Sequence, residues 1–176
     1  MARYLELRRH TDSDGDVLSE EGIRGALEIG RRLSGPYSLL VSSGAQRATQ
    51  TLACFACALA EEVTGGVIVE SGLRSDMEDR WRAAYKAAGS GELSALQKAD
   101  PELVREDSQQ LAGVLRRILE RLPDEGHALA VGHSPTNEAA IFGLTGQIVA
   151  PISKGEGVLV IADEDGVRVE PAAAAH

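Results

Sequence analysis

The sequence predicts an α/β sandwich with a mostly parallel sheet and an antiparallel hairpin at its C-terminal end. Short apolar runs alternate along the chain with longer segments whose apolar residues recur at helical spacing. Near the end, two apolar runs flank Asp163-Glu164-Asp165-Gly166, a turn sequence typical of a hairpin. The length of 176 residues suits one domain, which we expect to span residues 1–171 before a disordered tail of residues 172–176.

The predicted strands are short apolar runs separated by turn residues or charges. The first strand alternates leucine with Glu6 and Arg8. Because an unpaired buried charge is costly, we expect these two side chains to pair with each other or with neighbours. In chain order the predicted strands are Tyr4–Arg9, Ser38–Val41, Val67–Glu70, His127–Val131, Val158–Ala162 and Val167–Glu170.

The first two helices are predicted from a capping residue and from apolar content. Ser19 can cap a helix whose first turn carries Glu20 and Glu21, which suits the helix dipole. That helix ends before Gly35-Pro36, where proline stops the helical pattern. Ala45–Val63 reads as a long apolar helix.

Two more helices are predicted in the second half of the chain. Asp100 can cap a helix that has Pro101 at its first position, a combination typical of a helix start. Ser134-Pro135 begins the last helix. Residues 74–98 are charged and irregular, with room for one or two short helices, and we interpret residues 74–107 as a lid or insertion.

Charge and composition exclude several classes of protein. The net charge of −9 and pI of about 4.9 argue against binding to nucleic acid or to an anionic membrane surface. No run approaches 18 apolar residues, and charges interrupt the N-terminus too early for a signal peptide. The two cysteines, Cys54 and Cys57, lie in the second predicted helix, where we expect them to be buried. The expected location is the cytoplasm.

Two histidines and two arginines follow predicted strands, near the point where each strand ends. Arg9 and His10 follow the first strand, Ser43 and Arg47 follow the second, and His133 follows the fourth. Sites in parallel sheets lie at the carboxyl ends of the strands. If these strands are neighbours, the side chains converge.

Two imidazoles and two guanidiniums form a cationic pocket that suits a phosphoryl group. Arginine offers a planar fork of donors to phosphate oxygens, and helix N-termini after Ser43 and Ser134 would add amide donors. A neutral histidine nitrogen can attack phosphorus, while a second, protonated histidine can stabilise the phosphoryl oxygens. The arginines would repel a cation, so neither a metal nor another cofactor is expected.

Several short motifs carry a resemblance to a known family. They are Arg9-His10, Ser43 with Arg47-Ala48, Gln50-Thr51, Val131-Gly132-His133 and the helix entry Leu18-Ser19-Glu20-Glu21-Gly22. In this order the motifs resemble the histidine phosphatase (phosphoglycerate mutase-like) superfamily, closest to its small phosphohistidine-phosphatase-like branch. The resemblance covers roughly residues 3–70 and 125–170.

The resemblance implies a three-layer α/β/α sandwich with a parallel core sheet. It implies His10 as the nucleophile, with Arg9, Arg47 and His133 forming the phosphate pocket. It therefore predicts a metal-independent phosphohydrolase that takes a phosphoryl group from a small phosphomonoester or phosphohistidine, on a small molecule or a protein. The alternatives are a non-catalytic phosphate-binding or interaction module and a phosphomutase of the same superfamily.

Three positions near the motifs need separate treatment. Thr11 stands where the family usually has glycine, but its hydroxyl or amide could still bind phosphate. Ser43 is expected to cap the following helix, with phosphate contact as the alternative. Phosphoglycerate mutases typically carry asparagine where this chain has Asp16, and a Glu-Arg-His-Tyr-Gly stretch that it lacks, which disfavours a glycolytic mutase.

The general acid also departs from the family pattern. Relatives place a glutamate in a Leu-x-Glu pattern after the third strand, and here that position holds Ser75. Asp76 is the nearest carboxylate and is the predicted acid, with Glu78 as the alternative. A phosphoramidate leaving group needs less help from an acid than an alkoxide does, so the missing glutamate favours phosphohistidine or other activated substrates.

Overall fold

A computed structural model describes residues 1–172, in which strands and helices alternate along the chain. The strands are β1 (Arg3–Arg9), β2 (Ser13–Asp14), β3 (Val17–Leu18), β4 (Leu39–Ser42), β5 (Val67–Val69), β6 (His127–Gly132), β7 (Gly157–Asp163) and β8 (Gly166–Pro171). The helices are α1 (Glu20–Arg32), α2 (Gln46–Leu59), α3 (Glu78–Ala88), α4 (Leu93–Ala99), α5 (Pro101–Arg121) and α6 (Thr136–Thr145), with a 3₁₀ turn at Ser71–Leu73. Of the predicted tail, only residue 172 falls within the described residues.

The central sheet has six strands in the order β5-β4-β6-β1-β7-β8. The first four are parallel to one another, and β7 and β8 continue the sheet as an antiparallel hairpin beside β1. The predicted α/β fold with a mostly parallel sheet and a C-terminal hairpin is confirmed. In register, Arg9 of β1 lies opposite Gly132 of β6, and Ser42 of β4 lies opposite Val131. Three strands therefore end side by side at one edge.

Helices cover both faces of the sheet, which gives the predicted three layers. Leu129 and Val131 of β6 pack in an apolar cluster with α1 and α2, whereas Ala128 and Ala130 pack in a second cluster with α5 and α6. This alternation follows from the two-residue period of a strand. Both faces of β6 are apolar because both are buried.

The α1–α2 pair and the α5–α6 pair each approach closely at a glycine. A Cβ atom at Gly30 of α1 would lie 3.0 Å from the Cα atom of Phe55 in α2. A Cβ atom at Gly143 of α6 would lie 2.0 Å from the carbonyl oxygen of Ser108 in α5. A larger residue at either position would push its helix away from its partner.

The charges in β1 form a buried pair, as predicted. Arg8 Nε and Nη2 both lie 2.7 Å from Glu6 Oε1, and Tyr37 donates its hydroxyl to Glu6 Oε2 at 2.7 Å. Arg8 Nη1 also donates to the carbonyl of Gly155 at 2.9 Å. Both carboxylate oxygens and the guanidinium therefore have partners, which offsets the cost of their burial.

Two sequence interpretations concerning α2 are corrected. The helix ends at Leu59 rather than at Val63, because Ala60 adopts a left-handed conformation with φ of 53°. Cys54 is half-buried and Cys57 is exposed, so the prediction that both are buried is wrong. Leu52 and Phe55 define the buried face of α2, and Cys57 lies on the opposite side.

The charged segment forms helices α3 and α4, in agreement with the two short helices expected there. The hairpin of β2 and β3 was not predicted, because strands of two residues carry no measurable alternation. Within residues 1–172, no helix is both long and apolar enough to cross a membrane.

Candidate active site

Three chain segments meet where β1, β4 and β6 end. The amide of His10 donates to the carbonyl of Gly132 at 3.1 Å, and the amide of Ser43 donates to Val131 at 3.2 Å. These backbone bonds extend the sheet by one residue on each strand. They place His10, Ser43 and His133 side by side, as the strand-end argument predicts.

The rings of His10 and His133 lie with their centroids 5.4 Å apart and their planes tilted by 58°, and both residues are 8% exposed. Nδ1 of His10 lies 2.8 Å from the carbonyl oxygen of Thr11. A carbonyl can only accept, so in the neutral ring Nδ1 carries the proton. Nε2 of His10 therefore has a free lone pair.

His133 is held in the opposite tautomer by two neighbours. Nη2 of Arg47 lies 3.3 Å from Nδ1 of His133, and Arg47 can only donate. Nδ1 therefore accepts, and Nε2 of His133 donates to Ser43 Oγ at 2.7 Å. The expectation that Ser43 caps α2 is wrong, because the helix begins after Ala45 and has no side-chain cap. Ser43 instead fixes the His133 ring and accepts from the amide of Ala45 at 3.4 Å.

Both histidines favour the neutral form. Burial lowers the pKa of His133 to about 3, with further lowering from Arg47 and His10. Burial also lowers the pKa of His10 from 6.5, and Arg47 and Arg9 act in the same direction. The expectation of a protonated second histidine is therefore wrong for the free protein. The positive charge of the pocket comes from its arginines.

Both predicted arginines lie in this cluster. Nη1 of Arg47 donates to Asp16 Oδ1 at 2.8 Å, while its Nη2 atom contacts His133. Nη1 of Arg9 donates to the carbonyl of Ile152 at 3.1 Å, and its buried Nε atom has no hydrogen-bond partner. Each guanidinium is thus oriented by the protein.

Thr11 uses its carbonyl to hold His10, but both of its donors point elsewhere. Its hydroxyl donates to the carbonyl of Gly22 at 2.8 Å, and its amide donates to Thr51 Oγ1 at 3.2 Å. Both donors that were expected to bind phosphate are therefore engaged inside the protein, and we leave Thr11 out of the proposed phosphate ligands.

Ser75 stands where relatives carry the glutamate, and its hydroxyl has a structural role there. Its hydroxyl donates to the buried carboxylate of Asp107 at 2.6 Å, and Trp81 Nε1 donates to the same oxygen at 2.6 Å. Asp107 thereby ties the 74–107 segment to α5. Trp81 is 4% exposed and anchors this segment.

The two candidate acids share one cavity, but only Glu78 also reaches the cavity beside His133. Glu78 lines a cavity of about 240 Å³ together with Arg47 and His133. Asp76 is exposed and lines a neighbouring, larger cavity. Arg74 lies 2.6 Å from Glu78 and lowers the pKa of that carboxyl, with smaller contributions from Arg47 and His133. The structure therefore brings Glu78, rather than Asp76, into the cavity of the second histidine.

Lys154 is a further cation near His10. It forms an ion pair with Asp12, and it contributes to lowering the pKa of His10. Lys154 lies in the loop between α6 and β7, next to Gly155, whose amide donates to the carbonyl of Arg9 at 3.1 Å. No motif in the sequence marked this loop.

A sequence profile described as "Histidine phosphatase superfamily (branch 1)" matches residues 3–155. The chain belongs to the histidine phosphatase superfamily. The family assignment made from the motifs is confirmed, and the matched range includes the histidines, the arginines and the 74–107 segment. No curated protein matches the chain.

Several solved structures have a similar fold and match nearly the whole chain. A phosphoglycerate mutase from Bacillus anthracis is 18% identical with a TM-score of 0.75, over 99% of this chain and 94% of that one. A putative alpha-ribazole-5'-P phosphatase from Escherichia coli is 15% identical, with a TM-score of 0.71 and 98% of each chain covered. A putative phosphohistidine phosphatase SixA from Agrobacterium tumefaciens is 18% identical, with a TM-score of 0.55 and 97% of each chain covered. At these identities the likeness shows the fold.

Among residues 1–172, no group of three or more His, Cys, Asp or Glu side chains is arranged to hold a metal ion. The residues of the superfamily motifs form a cluster of two histidines, both with lowered pKa values, and neighbouring arginines.

If His10 is the nucleophile, as proposed below, its neutral state predicts an acid limb in the pH dependence of catalysis. Because the pKa of His10 lies below 6.5, we expect kcat/KM for p-nitrophenyl phosphate to fall only below pH 6.5. The unfolded chain binds this proton more readily than the folded chain, so the free energy of unfolding also decreases as pH falls below 6.5. A pH–rate profile with its acid half-point above 6.5 would contradict a buried, neutral nucleophile.

Proposed function

We propose that the chain is a metal-independent phosphohydrolase that acts on small phosphomonoesters or phosphohistidine through a covalent intermediate on His10. The observation that carries the proposal is that Nδ1 of His10 is held by a carbonyl, which leaves the Nε2 lone pair for attack, in a ring 5.4 Å from a second histidine that Arg47 contacts. A neutral imidazole nitrogen is a competent nucleophile toward phosphorus. The arginines supply the charge that binds phosphoryl oxygens, and they would repel a metal cation.

The reaction consists of two displacements at phosphorus. In the first, Nε2 of His10 forms a bond to phosphorus while the bond to the leaving oxygen or nitrogen breaks, and the leaving group takes a proton from a nearby carboxylic acid or from water. In the second, a water oxygen forms a bond to phosphorus while the Nε2–phosphorus bond breaks. The second step yields inorganic phosphate, one proton and neutral His10.

The surrounding residues bind and orient the phosphoryl group. Arg9 and Arg47 donate to its oxygens, which stabilises the charge of the transition state by fixed hydrogen bonds. His133 offers its Nε2–H, which donates to Ser43 in the free protein. Ser43 is thus a positioning residue that holds this ring when phosphate is absent.

The leaving group is expected to occupy the cavity of about 240 Å³ beside His133. Tyr85 and Pro135 contribute apolar surface to its lining, while Glu78 lies there together with Arg47 and Arg82. This volume is below the range of about 300–1,000 Å³ typical of drug-sized ligands, which favours a small leaving group or the tip of a side chain.

Replacing Glu78 by glutamine is expected to reveal which carboxylate assists the leaving group. For an alkyl phosphate, which has a poor leaving group, we expect E78Q to lower kcat/KM by about 10²-fold. For p-nitrophenyl phosphate, whose leaving group needs little protonation, the loss should be severalfold smaller. The matched control is Asp76→Asn, and a larger loss in that variant would assign the acid to Asp76 instead.

A non-catalytic phosphate-binding module is the second candidate, and the structure offers one observation in its favour. Ser75 stands at the family's glutamate position and is bonded to Asp107, so it supplies no acid there. Steady-state assays with p-nitrophenyl phosphate and a phosphohistidine peptide separate the two candidates. Turnover that depends on His10 supports the enzyme, whereas vanadate binding without any turnover supports the binding module.

A further inference from the structure

Asp16 places a carboxylate in the phosphate pocket. It lies in the turn between β2 and β3, and its Oδ1 accepts from Arg47 Nη1 at 2.8 Å and from the amide of Arg47 at 3.3 Å. Its Oδ2 accepts from the amide of Gln46 at 3.2 Å. The side chain is 48% exposed, so it can leave this position without unfolding the core.

The three donors that Asp16 takes are of the kind that binds phosphoryl oxygens. Two are the first amides of α2, and helix N-termini favour anions. The third belongs to the guanidinium that also donates to Nδ1 of His133. Arg47 therefore connects the carboxylate directly to one of the two neighbouring histidines.

We propose that Asp16 is a built-in competitor of phosphate, whose carboxylate must leave Arg47 and the start of α2 when a phosphoryl group binds. This inference rests on the proposed function. Its consequence is weak retention of the product, because the carboxylate returns to Arg47 as inorganic phosphate departs. Asp16 would thus limit product inhibition and set the affinity of the site for small phosphates.

The charges around Asp16 fit this role. Burial would raise the pKa of its carboxyl, but the amides of Arg47 and Gln46 and the Arg47 guanidinium outweigh that effect and hold the pKa below its usual value. Arg74 is the other cation that interacts with Asp16, and it is already paired with Glu78. Asp16 is therefore charged at neutral pH, and the entering phosphate has to displace a carboxylate from Arg47.

A purely structural role makes a different prediction. Ala45 precedes α2 and provides no side-chain cap. In a purely structural role, Asp16 would cap this helix and do nothing else. Asparagine keeps an acceptor oxygen at the same position and removes the charge. Asp16→Asn therefore keeps one of the two acceptor oxygens for the helix start and weakens the competition by removing the negative charge.

Titration calorimetry with inorganic phosphate and with vanadate at neutral pH tests the inference without requiring turnover. We expect Asp16→Asn to bind each anion about tenfold more tightly than the unaltered protein, equivalent to about 1.4 kcal/mol. The matched control is Asp14→Asn, which removes one exposed carboxylate from the same hairpin. Its Kd values should equal those of the unaltered protein. In steady-state assays, inhibition by phosphate should be correspondingly stronger in Asp16→Asn.

Two results would overturn the inference, and they differ in what they leave standing. If the unaltered protein and Asp16→Asn bind phosphate and vanadate equally, Asp16 is a helix cap and the proposed function survives. If neither protein binds either anion, the phosphate pocket itself is refuted, together with the proposed function.

Discussion

Replacing His10 by alanine is expected to lower turnover of any phosphate substrate by at least about 10³-fold, because the variant lacks the only nucleophile in the proposed reaction. Phosphate affinity should change much less, because Arg9 and Arg47 remain in place. Steady-state assays combined with vanadate titration separate the loss of chemistry from the loss of binding.

His127 offers a matched control for this substitution. His127 is a partly buried histidine at the start of β6. The candidate site lies at the other end of that strand, where His133 follows it. His127→Ala should retain turnover in the folded fraction, measured by circular dichroism. Activity that survives in His10→Ala would refute the assignment of the nucleophile. An equal loss of turnover in folded His127→Ala would show that the effect is not specific to His10.

Replacing Arg8 by methionine is expected to destabilise the fold by about 3–5 kcal/mol, the usual cost of removing one partner of a buried ion pair. Glu6 would keep only the Tyr37 hydroxyl as a close hydrogen-bond partner, and the carbonyl of Gly155 would lose its donor. Chemical denaturation followed by circular dichroism measures the change in the free energy of unfolding.

The double variant Glu6→Leu with Arg8→Met is the control for the predicted loss of stability in Arg8→Met. Removing both charges eliminates the unpaired carboxylate, so the double variant should be more stable than Arg8→Met alone. If Arg8→Met costs less than about 1 kcal/mol, or if the double variant is the less stable of the two, the destabilisation does not come from an unpaired buried charge.

The positions of the histidines and arginines could be predicted because they depend on strand order alone. Side chains that follow neighbouring parallel strands reach the same edge of the sheet, and apolar runs are enough to locate β1, β4 and β6. The Glu6–Arg8 pair was predictable for a similar reason, because the cost of an unpaired buried charge requires a partner. These inferences need only local patterns and general energetics.

The contacts between distant loops could not be predicted from such patterns. The Ser43–His133 bond joins residues 90 positions apart, and the Asp16–Arg47 bond depends on a hairpin too short to produce an alternating pattern. The neutral state of His133 follows from its burial beside Arg47, which is a property of the assembled site. The same limit applies to Glu78, because only the folded 74–107 segment shows which carboxylate shares a cavity with His133.

The central claim is that phosphoryl transfer passes through His10, and trapping the intermediate tests it most directly. The protein would be mixed with labelled p-nitrophenyl phosphate, quenched in alkali within milliseconds, digested and examined by mass spectrometry. We predict an alkali-stable, acid-labile phosphoryl group on His10 that forms and decays at rates compatible with turnover. Turnover without a phosphoryl group on His10, or with the label on another residue, would contradict the account.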